Sequence, residues 1–137
     1  MQTSENGINL IKRSEGFSPA PINDNGHPCW GYGHDQIAGE EVPGSISRDE
    51  ADLLLRRDLS SRYEPHVSSL VPSGCTQGQF DALVDFCYNL GAGALETMLG
   101  HGWEDVPNQI QRWNRVNGTQ NSGLSARRAA EVNLFNS

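Results

Sequence analysis

Hydrophobic positions recur at helical spacing near both ends of this chain, and the stretch from Phe17 to Gly44 breaks that pattern. Ile8 and Ile11 are spaced to share one face of a helix that starts near Thr3 or Ser4, either of which can cap it, and runs to about Ser14. Gly16 supplies the stop, because a glycine just past the last helical residue tolerates the left-handed conformation in which the chain turns away. From Phe17 to Gly44 the recurring Pro, Gly, Asn and Asp forbid a long helix and predict short strands joined by turns. Within that stretch Asn25-Gly26 reads as a tight hairpin turn, with Pro21-Ile22 before it, Cys29-Trp30 after it and Asp24 at its shoulder.

Helical spacing then returns. Ser47 and Glu50 form a capping box directly before Leu53, Leu54 and Leu55, which predicts a helix to about Val67. On it Arg48, Asp49, Asp52, Arg56, Arg57 and Asp58 interleave charges as a solvated face does. Pro72, Ser73 and Gly74 interrupt the chain, and Thr76 with Gln79 caps a further helix whose stripe of Phe80, Leu83, Val84 and Cys87 marks it as buried. Beyond it the pattern predicts a short helix near Ala94 to Gly100, another from Val106 to Val116, a polar loop from Asn117 to Gly123, and a terminal helix from Leu124 to Phe135. No internal repeat or low-complexity tract interrupts this order, which excludes a solenoid.

The 137 residues suffice for one domain with a core, here expected as a small strand-rich lobe over about 16–45 beside a helical remainder. No apolar run approaches the roughly 20 residues of a membrane span. The first residues lack the basic start, apolar stretch and cleavage site of a signal peptide, so export is expected by another route or after removal of a signal. A net charge of −7 opposes binding to nucleic acid or anionic membranes, and opposes attraction to anionic cell walls unless basic side chains gather at a cleft. It also favours activity at mildly acid pH. Cys29, Cys75 and Cys87 permit at most one internal disulfide. His27, His34, His66 and His101 show no zinc-ligand spacing with them, so no metal or other cofactor is expected. His34, closing a strand, is expected to bond structurally rather than carry protons.

The chemistry concentrates in Ser14 to His34. Glu15 closes a helix at the negative end of its dipole, and an apolar wall beside it would disfavour ionisation further, which suits a proton donor. Asp24 is the second carboxylate, and two carboxyls with unequal proton affinities are what glycosidic cleavage requires. For Asp24 the competing role is a side chain that stabilises its own turn. Arg127 and Arg128 follow Leu124 by three and four residues, so one of them can reach the cleft and orient Glu15. Such an arginine would favour the charged form and oppose burial and the dipole, a balance left open at this level.

LIKRSEGF at 10–17, Asp24, WGYGH at 30–34, QFDALVDFCYNLGAGAL at 79–95, QRW at 111–113 and GLSARRAAEVNLF at 123–135 occur in one order that resembles the phage-type lysozymes and endolysins, glycoside hydrolase family 24. The resemblance implies an α+β, predominantly helical fold in two lobes, with a small antiparallel sheet beside a helical lobe and a cleft between them. It implies a monomeric muramidase that hydrolyses the β-1,4 bond between N-acetylmuramic acid and N-acetylglucosamine in bacterial peptidoglycan, acting at the cell wall in the periplasm or outside the cell. Glu15 falls on the family's general acid, Asp24 on the carboxylate that assists water, and Asn89 and Trp113 on positions that line the cleft. Cys29 stands where the family has a threonine that helps hold the water, after an interval one residue shorter than usual, and Ile22 replaces the family's tyrosine. A thiol is a weaker donor and acceptor than a hydroxyl. Cys29 therefore takes the threonine's role, joins a disulfide with Cys75 or Cys87, or sits in a realigned loop. The family pattern favours inversion at the anomeric carbon. The rival expectations are a lytic transglycosylase using Glu15 alone and a peptidoglycan-binding module that has lost catalysis.

Overall fold

In the computed structural model, which describes residues 1–137, α1 spans Glu5–Glu15 and buries Ile8, Leu10 and Ile11. Gly16 follows with φ 74° and donates its N–H to the Lys12 carbonyl, so the chain leaves the helix sharply with Glu15 as its last residue. A three-stranded antiparallel sheet comes next: β1 (Ser18–Asp24), β2 (His27–Gly31) and β3 (His34–Asp35), in that spatial order. Asn25 and Gly26 take φ of 50° and 84°, as a tight hairpin turn needs, and pair Asp24 with His27 and Ile22 with Cys29. The register is irregular between Ser18 and Ile22, where Pro19 and Pro21 have no N–H to give the ladder.

α2 (Arg48–Asp58) starts at the expected capping box, with the Ser47 hydroxyl and Glu50 carboxylate each exchanging a 3.1 Å bond with the other's N–H. It continues past the predicted end near Val67, through a π-helical turn at Leu59–Tyr63 into α3 (Glu64–Leu70). Ser60 and Ser61 both return their hydroxyls to the Arg57 carbonyl, and Pro65 has no N–H to donate, so the regular ladder is disturbed on both sides of that turn. The solvated face expected of α2 holds except at Asp58. That carboxylate is buried and lies 2.5 Å from Nδ1 of His34, whose Nε2 lies 2.8 Å from Glu40. Burial disfavours the charged imidazole, but the two carboxylates outweigh it and raise its proton affinity. His34 thus fastens the sheet to α2, as a structural histidine.

The helical lobe is organised on α4 (Gln77–Leu90), where Phe80 to Cys87 are all buried because neighbours enclose the helix on every side. α1 approaches it at Gly7, where a Cβ would stand 2.9 Å from the Asp81 side chain. Asp81 in turn accepts the N–H and hydroxyl of Ser4 ahead of α1. After α5 (Ala92–Leu99) and a 3-10 turn at Trp103–Asp105 comes α6 (Val106–Gln111). The helix expected to reach Val116 stops at Gln111, since Asn117-Gly118, with φ of 51° and 80°, turns a small hairpin of β4 (Arg115–Val116) and β5 (Thr119–Gln120). The predicted polar loop is partly this hairpin. α7 (Ser122–Phe135) begins two residues early because Asn121 caps it, accepting from the Leu124 N–H at 2.9 Å. No helix is long and apolar enough to cross a membrane.

Candidate active site

Glu15 projects from the end of α1 into a cavity of about 640 Å³ that is also lined by Leu10, Arg13, Asn89, Leu124 and Arg127. Its Oε2 accepts a 2.7 Å bond from Nη1 of Arg127 on α7. Its Oε1 rests against the Cα of Gly33, where a Cβ would stand only 2.5 Å away, so only glycine admits the carboxylate there. The side chain keeps 22% of its exposure. Burial raises its proton affinity, Arg127 opposes this, and the nearby charges of Asp85 and Asp35 add to the rise. The net direction is upward, as suits a proton donor.

Arg127 is itself clamped. Asp85 on α4, wholly buried, accepts from Nε and Nη2 at 3.0 and 2.9 Å, a bidentate pair. Arg128 does not orient Glu15, because one helical residue further on its side chain points to the other side of α7. There it donates to Asn89 Oδ1 at 2.7 Å and to Glu131 Oε2 at 2.9 Å. Its Nε also stands 2.7 Å from Glu131 Oε1, without the alignment of a hydrogen bond. Burial, together with the neighbouring Asp85, pushes Glu131 well above the ordinary carboxyl range. Asn89 is therefore presented to the cavity by Arg128. Trp113 is not among the side chains lining this cavity; its ring packs edge-on against Phe86 and its carbonyl lies 3.4 Å from Arg128 Nη1.

On the sheet side, Asp24 is exposed at the hairpin shoulder and Cys29 is half-buried on β2. All three cysteines are free, so no disulfide withdraws Cys29. Burial, then the charges of Asp35, Asp24 and Glu15, push its thiol upward, so it stays neutral. No group of three or more His, Cys, Asp or Glu side chains is arranged to hold a metal ion. Asp85, through Arg127, and Gly33, by direct contact, also shape the surroundings of Glu15. An acid inside the apolar stripe of α4 needs a buried partner, and that was the available signal for Asp85.

The phage lysozyme family model matches residues 12–131. The endolysin of Bacillus phage B103 is 36% identical over 146 aligned positions, covering 98% of this chain and 54% of its own length. The chain thus spans little more than half of that relative. The solved endolysin of Escherichia coli O157:H7 phage FAHEc1 superposes with a TM-score of 0.85 at 30% identity, covering 98% of this chain and 93% of its own. The muramidase domain of SpmX from Asticaccaulis excentricus superposes with a TM-score of 0.84 at 31% identity, covering 99% of this chain and 98% of its own.

Proposed function

This chain belongs to the phage lysozyme family, and from that premise we propose that it is a muramidase, hydrolysing the β-1,4 bond between N-acetylmuramic acid and N-acetylglucosamine in bacterial peptidoglycan. The observation that carries the reading is Glu15, a carboxyl of raised proton affinity held between Arg127 and Gly33 at the edge of an open cavity. A carboxyl so held keeps its proton at a pH where exposed carboxylates are ionised, and can deliver it to the glycosidic oxygen. Asp24, exposed and free of ion pairs, directs a water onto the anomeric carbon with Cys29 beside it. Acid and water-directing group come from different elements, one a helix end and the other a hairpin. The family pattern favours inversion, which needs room for a water between the two carboxyls. Asn89 binds sugar from the cavity wall, and Arg13 supplies local positive charge beside it, since Arg127 is already paired with Asp85 and Glu15. One copy furnishes all these groups, in keeping with a monomer.

The test is digestion of purified sacculi by the wild type and by Glu15→Gln, with mass spectrometry of the fragments. Loss of a general acid is expected to cost at least about a hundredfold in rate. Reducing muramyl ends are expected in the wild-type digest. Anhydro-muramyl ends would identify a transglycosylase, and equal rates for the two proteins, or none from either, would remove the mechanism.

A further inference from the structure

The three-stranded sheet carries, near Glu15, a carboxylate that the family resemblance does not mark. Cys29 on the central strand lies directly opposite Ile22 on β1 and Asp35 on β3. Directly opposed residues share a face of a sheet, and so do residues two apart on one strand. Asp24, Cys29 and Asp35 therefore rise from the same face, while Trp30 and His34 alternate onto the other, buried one. Opposed Cβ atoms stand about 4.5–5.5 Å apart and diagonal ones about 7–8 Å, so Asp35 lies nearer to Cys29 than Asp24 does.

Asp35 is also tied to the acid. It follows by two residues Gly33, the position against which the Glu15 carboxylate rests. Its charge precedes that of Asp24 among those acting on Cys29, and it is one of the charges acting on Glu15. Glu15 and Asp85 are engaged by Arg127, and Asp58 and Glu40 are engaged by His34 on the opposite face. Asp35 is exposed and makes no side-chain hydrogen bond or ion pair, so its oxygens are free to accept from water.

We propose that Asp35 is a second water-directing carboxylate of this active site, supplying from across the sheet the strong acceptor that the Cys29 thiol lacks. In the step it serves, a water oxygen bonds to the anomeric carbon and passes a proton to the sheet carboxylates. The carbon–oxygen bond to the leaving sugar breaks, and that oxygen takes the proton of Glu15. Glu15 ends ionised and a sheet carboxylate protonated, and exchange with solvent restores both.

The inference rests on the muramidase reading, and its test separates the two. Turnover of soluble peptidoglycan fragments is measured for Asp35→Asn, Asp35→Glu, Asp24→Asn, the Asp24→Asn/Asp35→Asn double variant and Glu15→Gln, with and without sodium formate, alongside each Tm. Asp35→Asn is expected to lower kcat by about ten- to a hundredfold, with KM within about twofold and Tm unchanged. Formate restores part of that loss, Asp35→Glu retains more activity than Asp35→Asn, and the double variant loses less than the product of the singles because both groups serve one water. A kcat within about twofold of wild type, a loss that formate does not relieve, or a change confined to KM would overturn the assignment. Glu15→Gln as active as wild type would overturn the muramidase mechanism and this inference with it, whereas an inactive Glu15→Gln beside a fully active Asp35→Asn overturns this inference alone.

Discussion

Glu15 is fixed from both sides, by Arg127 on one oxygen and Gly33 against the other, and Arg127 is fixed in turn by a wholly buried Asp85. Asp24 and Asp35 have no such support; they stand exposed on a short three-stranded sheet, with a neutral thiol between them. The contrast follows from what each side must do. A proton donor has to stay protonated while carboxylates around it ionise, which calls for exclusion from water and neighbours of fixed charge. Groups that direct a water need access to it, which the exposed sheet face gives. The molecule spends its buried ionic network on the acid and leaves the water side to solvent.

The largest effect that would break this contrast is expected from Asp85→Asn. Asparagine cannot accept both guanidinium bonds as a carboxylate does, and the variant leaves Arg127 incompletely paired inside the helical lobe. Breaking a buried pair costs about 3–5 kcal/mol, measurable by denaturant unfolding. The pH–rate profile moves as well. Glu15 is raised above its ordinary 4.5, so the stability contributed by its proton is fully present below that value and is lost as pH rises through the folded value. Asp85 is one cause of the rise, and without its charge Arg127 draws Glu15 downward. The alkaline limb of kcat should therefore shift toward acid. A limb that stays in place would mean the network holds the fold and does not tune the acid.

A smaller effect is expected where the two sides meet. Gly33→Ala places a methyl 2.5 Å from Glu15 Oε1 on a backbone of φ 80°, so the carboxylate must move. The positive φ alone costs about 1–2 kcal/mol, and a misplacement of about 1 Å in a reacting group costs up to about a hundredfold in rate. Gly26→Ala is the matched control, since Gly26 has φ 84° with nothing within 4 Å of the added carbon. Comparable Tm losses with a rate loss only in Gly33→Ala would assign the defect to Glu15. Equal rate losses in both would assign it to the sheet as a whole.

The sequence exposed the two sides unequally. Helix ends and turns carry local signals, so Gly16 and Asn25-Gly26 put Glu15 at a helix end and Asp24 at a hairpin shoulder, and the two capping boxes marked the starts of α2 and α4. Asn117-Gly118 is the same turn signal as Asn25-Gly26, and the helical spacing after Val106 masked it. The long-range partners were less accessible. Arg127 and Arg128 are adjacent in sequence, and only the rotation of α7 against α4 decides that the first meets Glu15 and the second meets Asn89. Asp58 sat in a run of surface charges, and its burial depends on a histidine 24 residues earlier. Asp35 had no local mark at all, because its relation to Cys29 exists only in the register of the sheet.

The smallest effect is expected at Cys29, and it bears directly on whether the water side needs a rigid centre. The thiol is neutral, half-buried and flanked by carboxylates, conditions that leave it a weak donor and no nucleophile. If Asp24 and Asp35 do the accepting, Cys29→Ser alters only a secondary contact to the water. Its kcat should then stay within about threefold of wild type, with a hydroxyl tending to raise rather than lower it, since serine donates and accepts more strongly than cysteine. The alkaline limb should not move, because no charge near Glu15 has changed. Steady-state rates and the pH profile of Cys29→Ser on the same soluble fragments measure both. A loss of about a hundredfold would make the thiol indispensable, and the sheet side would then depend on one fixed group as the helical side depends on Glu15.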